Sequence, residues 1–241
     1  MLSHADTNTS RTCAHVPCLL AALRDSDISQ ILLLSKRDYV LDAQLNISRD
    51  LTISGGPARA ILRSALNASR PTRLISVAQG ARVCLNSLEL VDGRAVKDYG
   101  GAIMNRGALE VNSCSFVGNV AGTGGALTSV GSTGRVVVRD STFIGNRAQF
   151  GGGLAALQHF ATLSHCSFVD NIASGNGGGL VAVDATLRVS ATTFVRNSLN
   201  VQSSSVGGGV MLQGSTNANF SRCTFVENSA GYRGGGLMSS C

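Results

Sequence analysis

Along the second half of the chain, apolar and polar positions recur in one fixed order. Aligned on Phe116, Phe143, Phe168, Phe194 and Phe225, the residue five places earlier is Val111, Val138, Leu163, Val189 or Phe220. Two places before each phenylalanine stands a small residue, Cys114, Ser141, Cys166, Thr192 or Cys223. Polar pairs such as Asn112-Ser113 and Arg139-Asp140 interrupt a period-two alternation, the pattern of two short strands joined by a corner. A third strand is predicted at Gly-Gly-(Ala/Gly)-aliphatic, found at 100–103, 124–127, 151–154, 177–180, 207–210 and 234–237. There the backbone must turn with no Cβ in the way. The copies fall about 27 residues apart, a period that marks a solenoid or array.

Three short strands and three corners make one coil of a parallel β-helix, each coil hydrogen-bonding to the next at about 4.8 Å. The predicted fold is therefore all-β, and the preference of parallel crossovers makes it right-handed. Equivalent positions then stack on themselves. Phe116, Phe143, Phe168, Phe194 and Phe225 should form an internal aromatic stack. Asn119, Asn146, Asn171, Asn197 and Asn228, each three residues after its phenylalanine, should form a ladder of side-chain amides. A phosphate-binding loop needs one glycine turn opening a helix, whereas each of these turns leads into a strand, so that reading is rejected.

Composition narrows the class. Only 14% of residues are charged and 29 are glycine, which suits neither a helical bundle nor a charged helical surface. The formal charge is +6, and apart from Lys36 and Lys97 every basic residue is arginine. The excess concentrates in 49–106, where nine basic residues face four acids. Nucleic-acid binding would ask for stacking aromatics among them, but Trp is absent and Tyr numbers three, so a solvated basic face is preferred and no nucleic-acid partner is expected. No stretch approaches the roughly 20 apolar residues of a membrane span. The apolar run 16–23 lacks a basic lead and a small-residue cleavage site, so no signal peptide is read.

The alternating Gly-Gly-Ala-(Ile/Leu/Val) and Phe-x-x-Asn motifs resemble the repeats of polymorphic outer-membrane proteins, which share the right-handed, pectin-lyase-like β-helix. The resemblance extends upstream. Residues 18–56 look like the N-terminal cap of such proteins, with a short amphipathic helix followed by the apolar segments ILLL, YVL, LNI and LTI. Residues 74–93 read as a degenerate coil, with Leu90 in place of phenylalanine and Gly93 in place of asparagine. The expected organisation is an unstructured 1–12, a cap and first coil over 13–56, and repeats over 57–241. The last segment is expected to be truncated, before any barrel or cap. The resemblance implies an extracellular or cell-surface location and membrane association only through a region outside this chain. An uncovered last coil would also favour end-to-end self-association.

Candidate chemistry is thin. A glycoside hydrolase needs neighbouring carboxylates, and a lyase needs acids holding Ca²⁺ beside a base. In register the repeat-region acids Glu110, Asp140, Asp170, Asp184 and Glu227 scatter. Gly118, Gly145, Asp170, Arg196 and Glu227 share one row, whose reading is an exposed salt-bridge ladder of little energetic weight. His165 falls at an outward corner. No catalytic residue, cofactor site or metal site is assigned. Cys13 and Cys18 could pair in an oxidising compartment. Cys114, Cys166 and Cys223 are two rungs apart, about 9.6 Å, beyond disulfide reach and too dispersed for zinc. They read as small core residues. Asn8, Asn46, Asn67 and Asn219 begin N-glycosylation triplets.

Three functional readings follow. The first is a non-enzymatic, adhesin-like segment that binds a surface protein or glycan through corner loops, with 196–209 the longest insertion. The second is a carbohydrate-active β-helix, a polysaccharide lyase or glycoside hydrolase, with its site outside this chain or at Asp170 and its neighbours. The third is a structural spacer.

Overall fold

The computed structural model describes residues 9–65, 72–131, 134–200 and 205–240, and within them the chain winds into a parallel β-solenoid. Three sheets run the length of the solenoid. The first has nine strands, from Thr9–Cys13 through Ile28–Leu33 and Leu51–Gly55 to Asn217–Ser221. The second has eight, from Asp38–Leu41 to Thr224–Val226, and the third has eight, from Leu45–Ile47 to Leu237–Ser240. Consecutive ladder asparagines are separated by 27, 25, 26 and 31 residues, so coil length varies at the corners while strand register holds.

The three-strand coil expected from the sequence is incomplete. A fourth, five-stranded sheet follows the asparagines, from Arg94–Tyr99 through Val120–Thr123 to pairs as short as Ile172–Ala173 and Ser198–Leu199. Two further boundaries move. Thr9–Thr12, placed in the unstructured lead, belong to the strand Thr9–Cys13, which pairs in parallel with Ile28–Leu33; residues 1–8 lie outside the described residues. Leu51–Gly55 pairs on Ile28–Leu33 as well, so it opens the second coil and does not close the first.

The sharp corners need a left-handed backbone. One such row is Asp92, Gly118, Gly145, Asp170, Arg196 and Glu227, all at φ between 51 and 65°, and a second is Ser87, Ser113, Asp140, His165, Ala191 and Arg222. Both rows tolerate side chains because the corner points outward. The glycine motif does not. Gly151 has φ 64°, and a Cβ on Gly152 would sit 2.3 Å from the Gly178 carbonyl oxygen of the next coil. The pair recurs because successive backbones approach within contact distance there.

Inside, one row reads Tyr39, Leu62, Leu90, Phe116, Phe143, Phe168, Phe194, Phe225. The five phenyl rings stack with centroids 4.5–4.9 Å apart and planes within 13° of parallel. At the start of the row the Tyr39 hydroxyl donates to the Cys13 carbonyl at 2.6 Å and accepts from the Leu34 N–H at 2.9 Å, so the polar tip of a buried ring is satisfied. Beside this row runs the asparagine ladder. Each Nδ2 reaches back to a carbonyl of the preceding coil and, from Asn119 to Asn197, forward to the next asparagine. Asn146 Nδ2, for example, donates to Phe116 O at 3.0 Å and to Asn171 Oδ1 at 2.9 Å. Gly93 takes the asparagine's place in its coil and donates its N–H to Asn119 Oδ1.

The helix Val16–Arg24 lays Leu19 and Ala22 over the first coil. His15 caps its start, its Nδ1 accepting the Cys18 N–H, and Cys13 and Cys18 form a disulfide that ties the helix to the first strand. At the other end the Arg49 guanidinium donates to the Ala22, Asp25 and Ile28 carbonyls, satisfying helix-terminal acceptors. Among the described residues no helix is long and apolar enough to cross a membrane.

Candidate recognition groove

The outward face of the nine-stranded sheet carries a groove of about 1110 Å³ that crosses several coils. Strand alternation sends Leu51, Val83, Leu109, Val136, Ala161 and Leu187 inward to the core, so their neighbours must point out. One outward row reads Asp50, Arg82, Ala108, Arg135, Phe160, Thr186, and the next reads Thr52, Cys84, Glu110, Val137, Thr162, Arg188. Phe160 stands in the groove with 58% of its surface exposed.

A third outward row borders the groove. Asn86 Nδ2 donates to Ser54 Oγ at 3.1 Å, Asn112 Nδ2 to Asn86 Oδ1 at 3.0 Å, and Arg139 Nη1 to Asn112 Oδ1 at 3.4 Å. Glu110 lies between two arginines, 3.5 Å from Arg135 and 3.7 Å from Arg139. Asp50 accepts the Arg82 backbone N–H at 2.8 Å and lies 4.0 Å from its guanidinium. Among the described residues these are the two carboxylates of the groove lining. Two rungs and two residues separate them, roughly 12 Å between backbones at β-sheet spacing. Among the described residues no cluster of His, Cys, Asp and Glu could hold a metal ion.

The other acids stay apart. Asp140 and Glu227 are exposed at left-handed corners, and Asp184 accepts the Ser215 N–H at 2.9 Å. Asp170 and Arg196 form a two-pronged pair at 2.8 and 3.0 Å on the surface, which raises the Arg196 pKa. Asp170→Asn and Glu227→Gln are expected to leave the circular dichroism spectrum and the unfolding midpoint essentially unchanged, since exposed pairs contribute little. A clear drop in midpoint for either would mean that this row supports the coil.

His165 is exposed at its corner. His159, which the sequence reading passes over, is buried at the turn into Phe160–Ser164. Its Nδ1 lies 2.9 Å from Ser129 Oγ, which accepts from Asn105 Nδ2 at 2.9 Å. Burial pushes the imidazole below its ordinary pKa, against a smaller opposing effect of the Phe160 carbonyl. Because the folded value lies below the unfolded one, stability present at neutral pH is lost as pH falls through the unfolded value of about 6.5. The urea midpoint should therefore drop between pH 7.5 and 5.5, and by less in His159→Gln. The same pH dependence in both proteins would show that His159 is not the titrating group.

Cys114 and Cys166 are buried thiols, pushed up to about 12 and about 11 by desolvation, and so resist ionisation and oxidation. Their N–H groups donate to Ser141 Oγ and Thr192 Oγ1 of the following coils, which explains why small polar and sulfur residues alternate in this row. Asn46 and Asn219 lie within strands, while Asn8 and Asn67 lie outside the described residues. The 196–209 insertion is described except for 201–204. Compared with protein-family models, with curated proteins and with solved structures, the chain finds no match.

Proposed function

We propose that the protein is a non-enzymatic, adhesin-like recognition scaffold of the extracellular space or cell surface, engaging an extended partner along the outward face of its nine-stranded sheet. The observation that carries this reading is the groove itself. It runs across coils, presents an exposed aromatic ring among arginines, and sets an arginine against each carboxylate of its described lining. The Cys13–Cys18 disulfide suits an oxidising compartment, as does the resemblance to outer-membrane surface repeats. A groove along a solenoid fits a linear polymer, because each rung offers the same spacing to each repeat of the ligand.

A second reading places the contact on the corner loops beside the five-stranded sheet. It is favoured by exposed Val96, Tyr99, Phe150 and Tyr232, which lie along that edge. A glycan array combined with an assay for released reducing ends tests the function. Capture without release is expected. Release of reducing ends from a captured glycan would overturn the non-enzymatic reading in favour of a carbohydrate-active β-helix.

A further inference from the structure

The described lining of the groove carries Arg82, Arg135 and Arg188 against Asp50 and Glu110. Arg82 and Arg135 share a row two rungs apart, about 9.6 Å at β-sheet spacing. Phe160 occupies the next rung above Arg135, and Arg188 stands one rung further on in the adjacent row. Glu110 is matched by both Arg135 and Arg139, and Asp50 only at 4.0 Å by Arg82, whose side chain is 81% exposed. Arg188 is exposed and has no ion pair among the described residues. The groove therefore holds more guanidinium than its own acids neutralise, spread along the solenoid axis.

We propose that this groove binds a linear acidic glycan, carboxylated or sulfated, laid along the axis over Arg82, Arg135, Phe160 and Arg188. Guanidinium forks match the planar carboxylate and the sulfate oxygens in two-pronged geometry. Phe160 supplies a flat apolar face on which the C–H face of a sugar ring packs, and the Ser54–Asn86–Asn112 ladder offers amides and a hydroxyl at the rim to sugar hydroxyls. Single-stranded nucleic acid would share the charge but needs an aromatic platform for successive bases, and among the described residues Phe160 is the one aromatic in the groove lining. The inference rests on the groove being the recognition surface, and the test separates the two.

Binding is measured at fixed ionic strength to alginate as the polyuronate, dextran sulfate as the sulfated polymer, neutral dextran, and a single-stranded oligonucleotide. Alginate or dextran sulfate should bind and neutral dextran should not, the tighter of the two acidic polymers identifying carboxylate or sulfate as the preferred group. Arg82→Gln and Arg188→Gln should each weaken binding about tenfold, one charge-assisted contact apiece. Phe160→Ala should weaken it about fivefold through lost ring contact. All three side chains are exposed, so the variants should keep the parent circular dichroism. Arg222→Gln removes the same charge at an exposed corner away from the groove and should change nothing.

An equal loss in Arg222→Gln would reduce the binding to diffuse charge attraction and overturn the proposal. So would an oligonucleotide that displaces alginate through Arg82 and Arg188. Neutral dextran captured in a Phe160-dependent way would overturn the acidic ligand and leave the groove reading standing. If no groove variant alters capture of any polymer, both fail.

Discussion

Phe168→Ala is expected to lower the unfolding free energy by about 3–5 kcal/mol, the range for losing a fully buried aromatic ring. Phe168 is 0% exposed and sits at the centre of the stack, with neighbouring ring centroids at 4.5 and 4.9 Å. Those distances are fixed by strand pairing above and below, so the sheets cannot collapse into the void without breaking register. The void also removes the face against which Phe143 and Phe194 pack. Urea unfolding followed by circular dichroism reads the loss. A midpoint equal to that of the parent would mean that Phe168 is not a core residue.

Asn171→Leu should cost at least about 4 kcal/mol, although leucine fills nearly the same volume. Asn171 Oδ1 accepts both the Asn146 N–H at 3.0 Å and Asn146 Nδ2 at 2.9 Å. Its Nδ2 donates to Phe143 O at 2.9 Å and Asn197 Oδ1 at 2.9 Å. Leucine leaves these partners in a fully buried site, and each stranded group costs about 1–3 kcal/mol. The ladder's contribution is asymmetric for that reason: present, it satisfies groups that burial has already taken from water; interrupted, it strands the Asn146 amide and the Phe143 carbonyl of the preceding coil, while Asn197 Oδ1 keeps the residue-171 N–H. Hydrogen exchange gives a second readout, because the Asn146 amide should lose its protection in the variant. A variant as stable as the parent would show that the amide row is not needed to close the coil.

The parts of this architecture legible in the sequence are those that repeat strictly. The phenylalanine stack and the asparagine ladder recur because each coil places the same atom in the same plane. Leu90 and Gly93 betrayed the degenerate coil by falling in those same places. The five-stranded sheet was hidden, since two-residue strands such as Arg147–Ala148 and Ile172–Ala173 are too short to show alternation. Thr9–Cys13 was hidden for a different reason: four of its five residues face solvent, so it carries no apolar pattern. Tyr39 opens the aromatic row, but Leu62 and Leu90 stand between it and the first phenylalanine and disguise the continuity.

The groove was the least legible part. Its rows, Asp50-Arg82-Ala108-Arg135-Phe160 and Thr52-Cys84-Glu110-Val137-Thr162-Arg188, never place the same residue type on two neighbouring coils. Inward rows repeat because the core is the same in every coil, whereas outward rows are free to differ. A recognition face is thus visible only once the register is known. The outward Asn86–Asn112 pair shows the boundary case, since the row passes to Arg139 and then to Ser164 after two asparagines.

Hydroxyl-radical footprinting of the chain, with and without alginate, tests the central claim most directly. The exposed aromatic residues report separately on the two surfaces: Phe160 on the sheet groove, and Tyr99, Phe150 and Tyr232 on the corner-loop edge. The groove account predicts that Phe160 becomes protected while the other three keep their reactivity. Protection of Tyr99, Phe150 and Tyr232 with Phe160 unchanged would contradict it and move recognition to the loops.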